Sequence, residues 1–225
     1  LGASAVIMDT LVRRMGFEIS AKADYNVLNT QTRAMFDAYA MGVNAFIDST
    51  KTLPVEYGLL GTHPQPWRPI DSLAVAKIRH VFMGNFEYKL WRAKLLAKVG
   101  PEIVTKLFPS SEPGDLVIIP PGAEFKGQTD DGREVLSSSD DLTRWITDVF
   151  GNDGDSGSNS WVLAGSRTAS GKPILAGDPH RPPDTPNVYI QNHIACPEFD
   201  VVGLSFAGVP GFFHFGHSKH VAWCV

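Results

Sequence analysis

The sequence predicts an α+β protein, a helical first half followed by a strand-rich second half, and three observations carry that expectation. Apolar residues recur at helical spacing from about residue 28 to 108. From Ser158 onward, short apolar runs alternate with turn residues, as strands do. Between the halves lies a polar Gly- and Pro-rich stretch, and nowhere do strands and helices alternate as βαβ units would.

In the first half, Ala34, Phe36, Ala38, Tyr39, Ala40, Val43 and Phe46 fall on one broad helix face, with Asn29 or Thr30 placed to cap it. Asp71-Ser72 opens a second helix behind Trp67-Arg68-Pro69, and Leu73, Val75, Ala76, Ile78, Val81 and Phe82 form its apolar side. A third runs from Phe86 to about Val99 and stops at Gly100-Pro101, and residues 101–108 form a further short helix. Pro113-Gly114, Pro120-Pro121-Gly122 and the polar run 127–141 read as solvated linker. Leu142, Trp145, Ile146 and Val149 interrupt it with a pair of amphipathic turns, and 151–157 holds no core-forming side chain. Strands are predicted at 161–167, 173–176, 188–195, 200–207, 212–216 and 220–225, with a turn at Ser170-Gly171-Lys172.

Composition narrows the function classes. Of 225 residues, 43% are hydrophobic and 20% charged, which is ordinary for a globular protein. A formal charge of −4 without any long Lys/Arg run gives a nucleic-acid partner no electrostatic footprint. No apolar stretch approaches the roughly 18 residues of a bilayer span. Cys196 and Cys224 lie in apolar surroundings without zinc-ligand spacing, as two buried free thiols or one disulfide. The chain starts at Leu1 in sequence that reads as mid-helix and ends in an apolar run without a turn, so it is expected to be an internal piece of a longer protein.

Chemistry concentrates at Gly157-Ser158, where an Asp/Gly/Ser segment runs straight into a strand. By itself such a junction is a loop entering a strand. The stretch that follows, Ser158-Asn-Ser-Trp through Ala176-Gly-Asp-Pro-His180, resembles the start of the β-chain in the penicillin/cephalosporin acylase family of N-terminal-nucleophile (Ntn) hydrolases. Resemblance continues through His193-Ile-Ala-Cys196, Gly208-Val-Pro-Gly211, Phe215-Gly-His217 and Ala222-Trp223. Upstream, Ala38-Tyr39-Ala40-Met41-Gly42-Val43-Asn44-Ala45 and Trp67 to Ser72 resemble α-chain segments of the same family, and the cephalosporin/glutaryl branch is the nearest.

That resemblance implies an Ntn αββα sandwich, with residues 1–127 belonging to an α-chain, 128–157 to a linker or spacer and 158–225 to the β-chain. It implies a precursor that cleaves itself at Gly157–Ser158 and frees Ser158 as catalytic nucleophile, with a second spacer cut somewhere in 128–156. His180 matches a histidine that orients the serine in the cephalosporin branch; as a plain strand-end residue it would be structural. Arg181 and His214 match positions that contact the acyl group, joined by Tyr189. Met83, Phe86 and Tyr88 match helix residues lining the acyl pocket, although core packing explains them equally. In glutaryl-preferring relatives the His214 position tends to be arginine, so histidine there weakens a glutaryl assignment. Oxyanion donors would lie beyond Val225. No cofactor is required; calcium enters only through Glu87, against an α-chain ligand of some relatives. The implied partners are a small N-acyl substrate and the two chains of one precursor, in the periplasm or outside the cell.

The physical logic of a freed serine is independent of any family. A serine hydroxyl needs a base, and a free α-amino group, with a reference pKa of about 7.7–8.0, is one. Rivals are an acyl-homoserine-lactone acylase with the same chemistry, a non-catalytic binding relative, and a zinc site at His214, His217 and His220. SxxK, GxSxG, Walker A and dinucleotide motifs are missing from the sequence.

Overall fold

The computed structural model describes residues 3–84, 86–108, 157–180, 187–211 and 213–225. The linker reading, the amphipathic turns at Leu142–Val149 and the spacer up to residue 156 fall outside the described residues.

Helices precede strands, as the α+β expectation requires. Seven helices are described: α1 (Ala3–Arg14), α2 (Phe17–Val27), α3 (Thr30–Ser49), α4 (Val55–Leu60), α5 (Pro69–Met83), α6 (Phe86–Val99) and α7 (Pro101–Leu107). Six strands follow: β1 (Gly157–Leu163), β2 (Ile174–His180), β3 (Tyr189–Ala195), β4 (Asp200–Phe206), β5 (Phe213–Ser218) and β6 (Ala222–Trp223). By compactness the chain divides into two units, Leu1–His80 with Asp153–Val225, and Val81–Asn152.

In the larger unit, Gly16 ends α1 in a left-handed conformation (φ 65°) that a side chain would strain, and Leu11, Phe17 and Ala21 are buried. Asn29 caps α3 by accepting from the Thr32 N–H at 2.8 Å. Phe36 and Ala40 are the buried residues of the face predicted for α3, whereas Ala34 and Ala38 are exposed and Phe46 is 70% exposed. That face is thus narrower than its composition suggests. Arg68 and Asp71 start α5 reciprocally: the Asp71 carboxylate accepts from the Arg68 backbone N–H at 2.7 Å and pairs with its guanidinium at 2.7 Å. Glu18 of α2 is held below the usual carboxylate range, first by Lys22 and then by Arg68.

Helices meet the strands around the β4–β5 turn, and Arg79 of α5 lies 5.7 Å from the Phe206 ring of β4. Asn44 of α3 clamps the Trp67 backbone, donating to its carbonyl at 2.9 Å and accepting from its N–H at 2.7 Å. The Trp67 indole N–H donates to Ser72, which is 0% exposed. The β4–β5 turn comes to this cluster: the Gly208 N–H donates to the Tyr39 hydroxyl at 3.2 Å, and a Cβ on Gly208 would lie 3.2 Å from the Trp67 ring.

Two antiparallel sheets complete the unit, a β1–β2 hairpin and a four-stranded sheet ordered β3-β4-β5-β6. Gly203, in mid-sheet, permits a close approach, since a Cβ there would stand 2.1 Å from the Phe215 carbonyl oxygen. The run predicted as a strand over 220–225 pairs only at Ala222–Trp223. Two α-helices lie outside the predicted elements, α2 and the short α4, and the run predicted as a strand over 161–167 leaves the sheet after Leu163 and forms a 3-10 turn at Gly165–Arg167.

In the smaller unit α6 and α7 meet at Gly100 (φ 83°), and Trp91 packs on Tyr88 (5.9 Å between ring centres) and edge-on to Phe108 (5.5 Å). No helix among the described residues is long and apolar enough to cross a membrane. Both cysteines are free, and Cys196 is exposed rather than buried. It sits in the β3–β4 turn, where its thiol bonds to Glu198 and lowers that carboxyl below its ordinary range.

Candidate active site

Strand β1 begins at the junction itself. Gly157 stands opposite His180, Ser158 opposite Pro179 and Asn159 opposite Asp178. Directly opposed residues of an antiparallel pair project to the same side, and sides alternate along each strand. Gly157, Asn159, Asp178 and His180 therefore share one face of the hairpin, and Ser158, Ser160, Gly177 and Pro179 share the other.

On the first face His180 Nε2 lies 3.0 Å from Asp178 Oδ2 and 3.0 Å from the Asn159 side-chain amide. Its Nδ1 turns toward the junction, 3.5 Å from where a Cβ on Gly157 would be. On the second face the Ser158 hydroxyl donates to the Gly157 carbonyl at 2.6 Å. A hydroxyl on that oxygen is one carbon–oxygen bond away from the electrophilic carbon of the peptide preceding it. Ser160 Oγ lies 3.0 Å from Cys224 Sγ, and the Cys224 thiol reaches the Ala176 carbonyl at 3.7 Å. Gly177 makes room for this, because a Cβ there would stand 2.8 Å from Cys224 Cβ.

The same face borders a cleft of ≈ 700 Å³ between the hairpin and the larger sheet. Leu175, Gly177 and Pro179, the cross-strand partners of Val162, Ser160 and Ser158, line one wall. Val202, Leu204, Phe215 and Trp223 line the other, with Gln191 and His217 as polar contributions. Such a cleft suits an apolar group with a few polar anchors.

A β-bulge re-aims His214. Leu204 faces Phe215 and Ser205 faces Phe213, which leaves His214 as the extra residue of β5. Its ring stacks on Tyr189 (5.6 Å between ring centres), meets Phe206 at 4.9 Å and Phe215 at 5.0 Å, and is only 8% exposed. The structure thus brings together two of the residues matched to acyl-group contacts, Tyr189 and His214. Arg181 lies outside the described residues, as do the side chains of Met83, Phe86 and Glu87. Tyr88 packs on Trp91 and Phe108 but is 42% exposed, so its ring contacts are not those of a buried core.

The zinc alternative is not assembled, since His214 is buried among rings while His217 and His220 are exposed. Among the described residues no three His, Cys, Asp or Glu side chains converge on a metal-sized site, and the side chain of Glu87, the calcium candidate, lies outside them. Sequence reasoning missed Asn159, Asp178, Ser160 and Cys224. The i, i+2 spacing of Asp178 with His180 and of Ser158 with Ser160 becomes a signal only because β1 and β2 reach past the predicted strands 161–167 and 173–176, to Gly157 and His180.

The model of the penicillin amidase family matches residues 1–225. The chain belongs to that family. Within it, the chain is similar to a penicillin acylase 2 proenzyme of Pseudomonas sp. (strain SE83), 44% identical over 225 residues, which cover 100% of this chain and 29% of the relative. It is 28% identical over 226 residues to the acyl-homoserine lactone acylase QuiP of Pseudomonas aeruginosa, covering 99% of this chain and 26% of the relative. The QuiP acylase of Pseudomonas syringae pv. tomato is likewise 28% identical, over 227 residues, with 100% and 27% covered. The chain therefore spans less than a third of the length of these curated relatives.

Proposed function

We propose that this chain is the junction region of a self-processing amidohydrolase, in an Ntn sandwich whose remaining parts lie outside the 225 residues. The observation that carries the reading is the Ser158 hydroxyl bonded at 2.6 Å to the Gly157 carbonyl, at the head of a strand paired with β2, whose Leu175, Gly177 and Pro179 line the cleft. Residues 1–127 act as α-chain, 128–157 as the spacer and 158–225 as β-chain.

In the maturation step Ser158 Oγ forms a bond to the Gly157 carbonyl carbon, and the hydroxyl proton passes to the Ser158 nitrogen as the C–N bond breaks. The resulting ester is hydrolysed by water, leaving a Gly157 carboxylate and a free Ser158 α-amine. An amide nitrogen cannot take a proton at neutral pH, whereas the new amine can. Cleavage therefore creates the base as well as the nucleophile. Oγ then attacks the substrate amide, its proton reaches the departing amine by way of the α-amine, and water releases the acid from the acyl-enzyme. His180 orients the serine, and the Tyr189–His214 cluster with Arg181 contacts the acyl group; Met83 and Phe86 extend that pocket from the α-chain. The oxyanion must be met by preorganised N–H donors, supplied from beyond Val225. This chemistry calls on no redox or nucleotide cofactor, and the enzyme acts in the periplasm or outside the cell.

The substrates proposed are N-acylated β-lactams of penicillin or cephalosporin type. A second reading, a homoserine-lactone acylase, follows from the QuiP relatives. A panel of phenylacetyl, glutaryl, hexanoyl and decanoyl amides on 7-aminocephalosporanic acid and on homoserine lactone separates the two. Hydrolysis confined to the β-lactam amides supports the first reading, and faster turnover of the lactones replaces it with the second. A self-cleaved protein inert on every amide would leave only a binding relative.

A further inference from the structure

We propose that Asp178, together with Asn159, is a positioning residue that fixes the tautomer of His180 and so aims a proton-accepting nitrogen at the Gly157–Ser158 junction. The proposal rests on the reading of Ser158 and His180 given above. A ring nitrogen has one in-plane site, carrying either a proton or a lone pair. His180 Nε2 stands 3.0 Å from a carboxylate oxygen of Asp178 and, as the amide is placed, 3.0 Å from Nδ2 of Asn159. A lone pair facing that oxygen is repelled, whereas an N–H is a donor to it, so Nε2 carries the proton.

Asn159 completes the arrangement. Its amide also lies 3.0 Å from Nε2, and oxygen and nitrogen of an amide exchange by a half-turn. With the oxygen turned inward, Nε2–H faces two acceptors, one charged. The neutral ring then keeps its lone pair on Nδ1, the atom 3.5 Å from the position of a Cβ on Gly157. All four residues lie on one face because their register pairs Gly157 with His180 and Asn159 with Asp178. A one-residue slip of β1 would separate them.

A double-mutant cycle in the complete precursor tests this, using the best amide of the panel above. Asp178→Ala is expected to lower kcat at least about tenfold with KM held within about twofold, within the roughly 10²-fold that misplacing a reacting group can cost. Asp178→Asn, which keeps the shape and one acceptor, recovers part of that rate. In a His180→Ala background Asp178→Ala should cost nothing more, because it acts only through the imidazole. An equal loss in both backgrounds, or a raised KM at unchanged kcat, would overturn the proposal while leaving His180 in the site. Full turnover by His180→Ala alone would overturn both it and the role given to His180.

Discussion

At the scale of single residues, what each side chain of the β1–β2 hairpin faces decides what it can do. Ser158 and His180 lie near each other along the chain pairing yet project to opposite faces of the hairpin. The serine's partner is the Gly157 carbonyl, and the histidine's partners are Asn159 and Asp178. On the proposed reading, cleavage at Gly157–Ser158 would free the strand end and let Ser158 turn about its backbone toward either side. His180→Ala is accordingly expected to fold normally, since the ring is exposed and holds no core contact. It should lose about 10²-fold or more of amide turnover, measured as kcat against a circular-dichroism control. Unchanged turnover would remove His180 from the site.

At the scale of elements, the strands are held to the helices by polar contacts that link family-like segments far apart in sequence. Asn44 satisfies both backbone groups of Trp67, Trp67 satisfies buried Ser72, and Tyr39 accepts from Gly208. Asn44→Ala removes two hydrogen bonds and leaves partly buried backbone groups without partners, a cost of about 1–3 kcal/mol. Chemical denaturation should show that loss, and Asn44→Asp, which can replace only the accepted bond, should fall between. These contacts also show what the sequence could and could not convey. The start of α3 was legible because capping by Asn29 is local, and β3 to β5 were legible because alternation and turn residues are local too. The bulge that brings His214 onto Tyr189 was not, since it depends on the register between β4 and β5. Nor was the narrow buried face of α3, where composition marks apolar residues without saying which neighbours reach them.

At the scale of the whole molecule, large apolar side chains stand in solvent across the helical portion. Val27, Leu59, Ile19, Met41 and Phe46 are 82%, 80%, 76%, 72% and 70% exposed. Exposed apolar surface on this scale marks an interaction face or an aggregation hazard. The 225-residue chain expressed by itself should therefore bind a hydrophobic dye strongly and aggregate, while the complete gene product should not. Equal dye binding by both would mean that these faces are free in the complete protein. The candidate site proposed at Gly157-Ser158 and His180 was marked by their resemblance to the family, whereas the cleft needed the packing of two sheets to be seen.

The most direct measurement is intact mass spectrometry of the complete gene product beside its Ser158→Ala variant. The account predicts two chains from the native protein, one beginning at Ser158, and an uncut Gly157–Ala bond in the variant. A folded native protein whose Gly157–Ser158 bond stays intact, or a variant cut there as readily as the native chain, would contradict it.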